Sequence, residues 1–111
     1  MYKKSDIAKI ESAYKYICDI ETIISNHLSV EKAIEDLEGE YALLMCLVQI
    51  GESVIKLSDE KILDQVPAPQ IISLRNRIVH GYDTVDHKII KDILVKHIPE
   101  LKAIIENILH V

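Results

Sequence analysis

The sequence predicts an all-α fold, an antiparallel helical bundle of four to five main helices. Three observations carry the prediction. Apolar residues recur at helical spacing through most of the chain, at i, i+3, i+4 and i+7. Only three glycines and three prolines punctuate 111 residues, too few for the turns of a many-stranded β-sandwich. Hydrophobic residues make up 49% of the chain, which argues against disorder, and the length suits one core. Residues 1–111 are therefore expected to form a single domain.

The elements can be justified in order. Ser5 is placed to cap a first helix, with Asp6 favourable in its opening turn. Ile7, Ile10, Tyr14, Ile17, Ile24 and Leu28 form its apolar stripe, interrupted by Glu21, and the helix should end near Asn26-His27. Ser29 reads as the cap of a short helix from Glu31 to Glu38, and Gly39 as the break that follows. Glu40 to Leu57 is the most apolar helix. Leu43, Leu47, Ile50, Val54 and Leu57 make one stripe, and Leu44, Val48, Gly51 and Ile55 an adjacent one. So wide an arc is buried from more than one direction, which predicts contact with the chain's own core and with a second subunit. Glu52 is the exception in this helix. It faces either solvent or the region of His80, and the spacing does not decide between them.

Ser58-Asp59-Glu60 can start a short turn of helix through Asp64. Pro67 and Pro69 stiffen the approach to the next helix, which carries Ile71, Leu74 and Ile78 on one face. Gly81 reads as its stop, because glycine accepts the left-handed conformation without Cβ strain. Asp86 can cap a helix from His87 to His97, and Pro99 fits the first turn of a last helix. In that last helix Leu101, Ile104, Ile105, Ile108 and Leu109 repeat the amphipathic pattern closely.

The formal net charge is −5, so general electrostatics do not favour nucleic acid. The distribution is uneven, however. From Gln70 to Lys91, the four cations Arg75, Arg77, Lys88 and Lys91 stand against Asp83 and Asp86, which hints at a local anion site. Cys18 and Cys46 are isolated among apolar neighbours and read as reduced, buried thiols. Met1 to Asp6 leads into charged residues rather than a signal-peptide core, and the longest uncharged run, Tyr41 to Gly51, is too short to span a bilayer. The expectation is a soluble cytoplasmic protein with no membrane partner.

The chemistry concentrates in Arg75-Asn76-Arg77-Ile78-Val79-His80-Gly81-Tyr82, where a cation, an imidazole and a phenol fall within one short stretch. Arg75 and His80 are five residues apart, which on a continuous helix is a rotation of about 140°. They can cooperate only if the helix ends or bends near Val79, or if a second chain contributes. Bland readings exist for each residue: His80 as a helix-terminal charge, Arg75 as a surface ion pair, Asn76 as exposed, Tyr82 as ring packing. Arg77 reads as facing solvent or an RNA backbone rather than as catalytic. His27, His97 and His110 are isolated. His80, Asp83 and His87 match no strong metal-ligand spacing, so no metal and no cofactor are expected.

Arg75, four residues, His80, one residue, Tyr82 resembles the Arg-x4-His-x-Tyr signature of HEPN domains, and more narrowly of their HepT-like toxin branch. Ile50-Gly51-Glu52-Ser53 is similar to the family's Ile-Gly-Glu-Ala run, and Ile98-Pro99-Glu100-Leu101-Lys102 is a third match. Where the family usually carries a tryptophan before the arginine, this chain has Pro67-Ala68-Pro69 and no tryptophan. The resemblance implies a metal-independent endoribonuclease toxin of a toxin–antitoxin pair, working as a homodimer or higher oligomer on an RNA substrate. It implies catalytic roles for Arg75, His80 and Asn76, with possible support from Glu52. It implies a small nucleotidyltransferase antitoxin as partner, transferring AMP to Tyr82. The residue types suit that chemistry. RNA carries its own nucleophile in the 2′-OH, a histidine titrating near neutrality can take its proton, and a guanidinium can hold the charge on the phosphoryl oxygens. The alternative implied by the same superfamily is a non-catalytic nucleotide- or substrate-binding partner of a nucleotidyltransferase, and an inert helical dimerisation domain is a third reading.

Overall fold

A computed structural model describes residues 1–111, the side chain of Thr84 excepted. Among the described residues every regular element is helical: α1 (Lys4–Asn26), α2 (Val30–Glu35), α3 (Leu37–Ile55), α4 (Glu60–Leu63), α5 (Ala68–Gly81), a 3-10 turn (Tyr82–Thr84), α6 (His87–Asp92), a π-helical segment (Ile93–His97) and α7 (Ile98–Leu109). Four long helical bodies result, because α6, the π segment and α7 follow one another without a break. The all-α bundle is as the periodicity predicts.

The caps show where sequence and structure agree and where they part. Ser29, Asp59 and Asp86 each accept a backbone N–H from the opening turn of α2, α4 and α6. Ser5 does not cap α1. That helix starts two residues earlier than a Ser5 cap would have it, with Lys3 at its N-cap and no side-chain hydrogen bond there. Gly39 is not the break after α2 either. Asp36 is the hinge, ending α2 and capping α3 by accepting the Gly39 N–H at 2.8 Å. Gly39 lies inside the first turn of α3 because a Cβ there would collide with the Ala33 carbonyl oxygen and reach His27 Nε2 at 3.1 Å. Gly81 does end α5, but at φ 171°, an extended backbone rather than the left-handed one expected. Pro99 lies in the first turn of α7, as expected, although α7 follows the π segment directly. Its nitrogen cannot supply the N–H that an uninterrupted α-helix would send to Val95, and the chain absorbs the defect by widening into the π segment just before it.

Side-chain contacts fix the packing directions. Lys9 Nζ near the start of α1 donates to the Lys56 carbonyl at the end of α3, while His27 at the end of α1 meets Asp36 at the start of α3. Tyr14 bonds Glu106 and Glu21 bonds Lys102, so α7 also runs against α1. Gly51 faces Arg75 and Tyr41 faces Tyr82, so α5 runs against α3. The core between them is dominated by isoleucine and leucine, with Ile10, Ile17, Leu43, Ile50, Ile62, Ile90, Leu101 and Ile105 almost wholly buried. Cys46 belongs to this core and its thiol is pushed up by burial, whereas Cys18 is only half-buried.

Among the described residues Asp6 is the one fully buried carboxylate, and it is matched by donors. It accepts the Asp59 N–H at 2.6 Å, the Ser58 N–H at 3.0 Å and the Ser58 hydroxyl at 3.3 Å. Burial raises its pKa, but those hydrogen bonds and the charge of Lys9 outweigh burial and hold it below the usual carboxylate value. It thereby staples the start of α1 to the α3–α4 corner.

Candidate functional site

The site is built on the crossing of α3 and α5, and Gly51 sets how close the two helices come. A Cβ at Gly51 would stand 2.7 Å from Arg75 Cγ and nearer still to Arg75 Cβ. With only hydrogen there, the arginine stem lies directly on α3. The next residue of α3, Glu52, then receives the guanidinium: Oε1 accepts from Arg75 Nη2 at 2.6 Å and from Nε at 3.0 Å. The remaining terminal nitrogen, Nη1, donates to Asn76 Oδ1 at 2.8 Å. Glu52 is therefore turned towards the motif rather than to open solvent. Both side chains remain accessible, Arg75 at 23% and Glu52 at 34%, so the pair lies at the surface with one face open.

His80 is held differently. Helix α5 continues to Gly81 without bending at Val79, so Arg75 and His80 diverge as a continuous helix requires. His80 is exposed and lines a hollow of about 510 Å³ with Pro69, Ile72, Ser73, Asn76 and Arg77. Asn76 joins the two parts, since it touches Arg75 through its amide oxygen and shares the hollow with His80. Tyr82 lies on another side. Its ring packs edge-on against Tyr41, with centroids 5.8 Å apart and planes at 75°, and it is 54% exposed. With Leu44, Met45, Val48 and Ile78 the two rings line an apolar groove of about 290 Å³. Among the described residues His80, Asp83 and His87 form no group that could hold a metal ion; His87 Nε2 meets Glu40 Oε2 at 2.5 Å.

The two stripes of α3 do not divide it into a core face and an outer face, because Leu44 and Gly51 of the second stripe are buried with the first. Leu43, Leu47, Ile50 and Val54 are buried in the core, while Tyr41 and Met45 are at least half exposed, as are Val79 near the end of α5 and Tyr82 just after it. Two features of the site escape the sequence. Gly51 reads there as one member of an apolar stripe, and its function as the seat of Arg75 shows only once α5 is packed. Tyr41 is the partner of Tyr82, and its one sequence signal is an aromatic ring on the outer edge of an apolar helix.

An all-α bundle that presents a guanidinium, an amide and an imidazole along one surface helix is a frame suited to phosphate chemistry. A family model described as "Ribonuclease HepT-like" matches residues 7–108, and the chain belongs to that family. Its activity class is accordingly endoribonuclease. Among similar curated proteins, a candidate RNase of Methanocaldococcus jannaschii is 27% identical over 98% of this chain and 91% of its own length. A second candidate RNase of that organism is 29% identical over 76% of this chain and 74% of its own. A candidate RNase of Caldanaerobacter subterraneus subsp. tengcongensis is 32% identical over 74% of this chain and 75% of its own. No solved structure is matched. Among the described residues no helix is long and apolar enough to cross a membrane.

Proposed function

We propose that residues 1–111 act as one HEPN-like domain that cleaves RNA without a metal ion, as the toxin of a toxin–antitoxin pair in the cytoplasm. The observation that carries this reading is the Gly51–Glu52–Arg75–Asn76 arrangement beside the His80 hollow. Glu52 occupies two nitrogens of Arg75 and fixes the plane of the fork, which suits a guanidinium meant to receive a phosphate on its open side. His80 is exposed and takes the proton of the 2′-OH; the resulting oxyanion attacks phosphorus, and the 5′-oxygen leaves. Arg75 and Asn76 hold the phosphoryl oxygens as charge gathers there. The products carry a 2′,3′-cyclic phosphate.

One chain keeps Arg75 and His80 on diverging faces and offers one histidine for two proton transfers. A second copy of this chain answers both needs, and the uncovered apolar surface of Tyr41, Met45, Val79 and Tyr82 is where we place it. Light scattering that finds a monomer at micromolar concentration rejects the dimer. Tyr82 is the proposed target of a nucleotidyltransferase antitoxin. Its phenolic oxygen would attack the α-phosphorus of ATP, release pyrophosphate and give up its proton, leaving AMP beside the motif. Intact mass after co-expression tests this, and Tyr82→Phe must not gain the adenylyl group.

The deciding experiment is RNA cleavage by purified protein in EDTA. His80→Ala should lose on the order of 10³-fold in rate with its helical content unchanged. Cleavage that needs a divalent ion, or that persists in His80→Ala, removes the mechanism.

A further inference from the structure

A second groove adjoins the His80 hollow, between α5 on one side and α6 with the π segment on the other. It has a volume of about 450 Å³, and its charged lining is Arg77, Lys88, Asp92 and His97. Two of its walls are shared: Ser73 and Arg77 also line the His80 hollow, so the two depressions form one continuous trough along α5. We infer that this groove is a phosphodiester-binding site for the RNA strand beyond the cleavage point, with Arg77 and Lys88 as its cations. The inference rests on the ribonuclease reading above for the identity of the ligand.

The argument is one of unmatched charge. Elsewhere on the surface Lys15 sits on Asp19, Lys91 on Glu31, Lys96 on Asp92 and Lys102 on Glu21, all within 3.0 Å, while Lys4, Lys32, Lys56 and Lys61 make no ion pair among the described residues but do not line this groove. The chain has 18 acidic residues against 13 basic ones, so partners are plentiful. Yet among the described residues the side chains of Arg77 and Lys88 make neither an ion pair nor a hydrogen bond, and both face the same groove. The carboxylate in the lining, Asp92, is engaged by Lys96 at 3.0 Å and lies 3.9 Å from His97 Nε2. His97 adds a second unsatisfied group. Its Nδ1 is buried without a hydrogen-bond partner, with Glu100 Oε1 at 3.6 Å. The groove thus carries two free cations in a protein that is acidic as a whole, next to the place where a phosphate is proposed to be cut. A strand held at His80 continues on both sides of the cut, and its neighbouring phosphates must pass over the Ser73–Arg77 ridge into the groove. An acidic protein segment would find the same cations, but nothing else about the groove favours a peptide.

The test uses the full chain with Arg77→Gln and Lys88→Gln, singly and together, checked for helical content and thermal midpoint. Binding is measured by anisotropy with a 2′-O-methylated oligoribonucleotide of about a dozen nucleotides, which lacks the nucleophile and cannot be cut. Cleavage is measured in parallel on an unmodified strand of that length and on a dinucleotide that reaches only the His80 hollow. Each single change should lower the slope of log K against log salt by about 0.7, the double change by about twice that, with about tenfold weaker binding. In Lys88→Gln, whose side chain lines the groove but not the His80 hollow, the dinucleotide should be cut within about twofold of the wild-type rate, while kcat/KM on the long strand falls through KM. Unchanged RNA binding in the double variant overturns the inference, and it does so whether or not poly-glutamate binding is weakened. A dinucleotide rate that falls in Lys88→Gln as far as the long-strand rate also overturns it, because that residue would then act on the cleavage site itself. If wild type cuts neither substrate but its binding depends on both cations as stated, the groove stands and the nuclease reading falls.

Discussion

Asp6 and Arg75 are each tied across the fold to a distant element, and they are treated in opposite ways. Asp6 is wholly buried, and its two oxygens take two backbone N–H groups and a hydroxyl from the α3–α4 corner. Arg75 is tied across the α3–α5 crossing to Glu52 but keeps an open face. A buried charge surrounded by fixed donors is enclosed by the fold and has nothing left to offer a ligand. A half-exposed pair over a glycine holds geometry while adding little to stability, since exposed ion pairs contribute about 0–1 kcal/mol. The first arrangement builds the protein; the second positions a charge for something outside it.

That contrast can be broken at each end. Asp6→Ala removes the acceptor of the buried Asp59 N–H and of the part-buried Ser58 N–H and should cost about 3 kcal/mol in urea unfolding. The folded fraction should keep wild-type RNA cleavage per molecule. A loss of cleavage without a loss of stability would mean that the staple reaches the site after all.

Gly51→Ala acts where the two regions meet. Alanine gains about 1 kcal/mol of helix propensity over glycine, but overpacking costs about 1–3 kcal/mol. The clash is with Arg75 Cβ, which is fixed to the α5 backbone and cannot swing aside. Overpacking should therefore win by about 1 kcal/mol, and cleavage should fall because Arg75 moves with α5. Glu52→Gln sharpens the contrast further. It should change the urea midpoint by less than about 1 kcal/mol, yet lower kcat/KM about tenfold by freeing the guanidinium from its fixed plane. A variant that is unstable but fully active would assign Glu52 to the structural class instead.

How far this was legible in the sequence follows from what each residue's signal depends on. Ser29, Asp59 and Asp86 act on N–H groups two or three residues away, so their caps can be read locally. The stripes of α1, α3 and α7 follow from the same local period. Asp6 could be read only as a first-turn charge, because its partners Ser58 and Asp59 are more than fifty residues on. Gly39 misled for a related reason. Its lack of a side chain answers the Ala33 carbonyl and His27 across the corner, not a need to end a helix. At the site, the motif placed Arg75, Asn76, His80 and Tyr82 on one helix end. The choice between the two readings of Glu52 needed the α3–α5 packing, and so did the separation of His80 and Tyr82 onto different surfaces.

The smallest effect concerns pH and lies at the corner joining α1 to α3. His27 is held by two acceptors: Nδ1–H donates to the Ile23 carbonyl at 2.7 Å, and Nε2 faces Asp36 Oδ2 at 3.2 Å. The Ile23 carbonyl and then Asp36 raise the histidine above its ordinary value, against a smaller opposing effect of burial. The Gly39 N–H and then His27 hold Asp36 below its own ordinary value. The signs are opposite. The raised histidine contributes stability that is complete below about pH 6.5 and is lost as pH rises through its higher folded value. The depressed Asp36, like Asp6, contributes stability present above about pH 4 and lost as pH falls through its lower folded value. The thermal midpoint should thus decline gently on the alkaline side and fall more on the acid side, where two carboxylates act together. Because the corner is partly exposed, the alkaline decline should be smaller than the shift caused by Asp6→Ala or Gly51→Ala, and salt should weaken it further. His27→Gln should flatten the alkaline limb and leave most of the acid limb in place, since Asp6 keeps all its donors. Melting curves of the two proteins from about pH 5 to 9 decide the matter. If the His27→Gln midpoint declines with pH as steeply as that of wild type, the corner is not the titrating device.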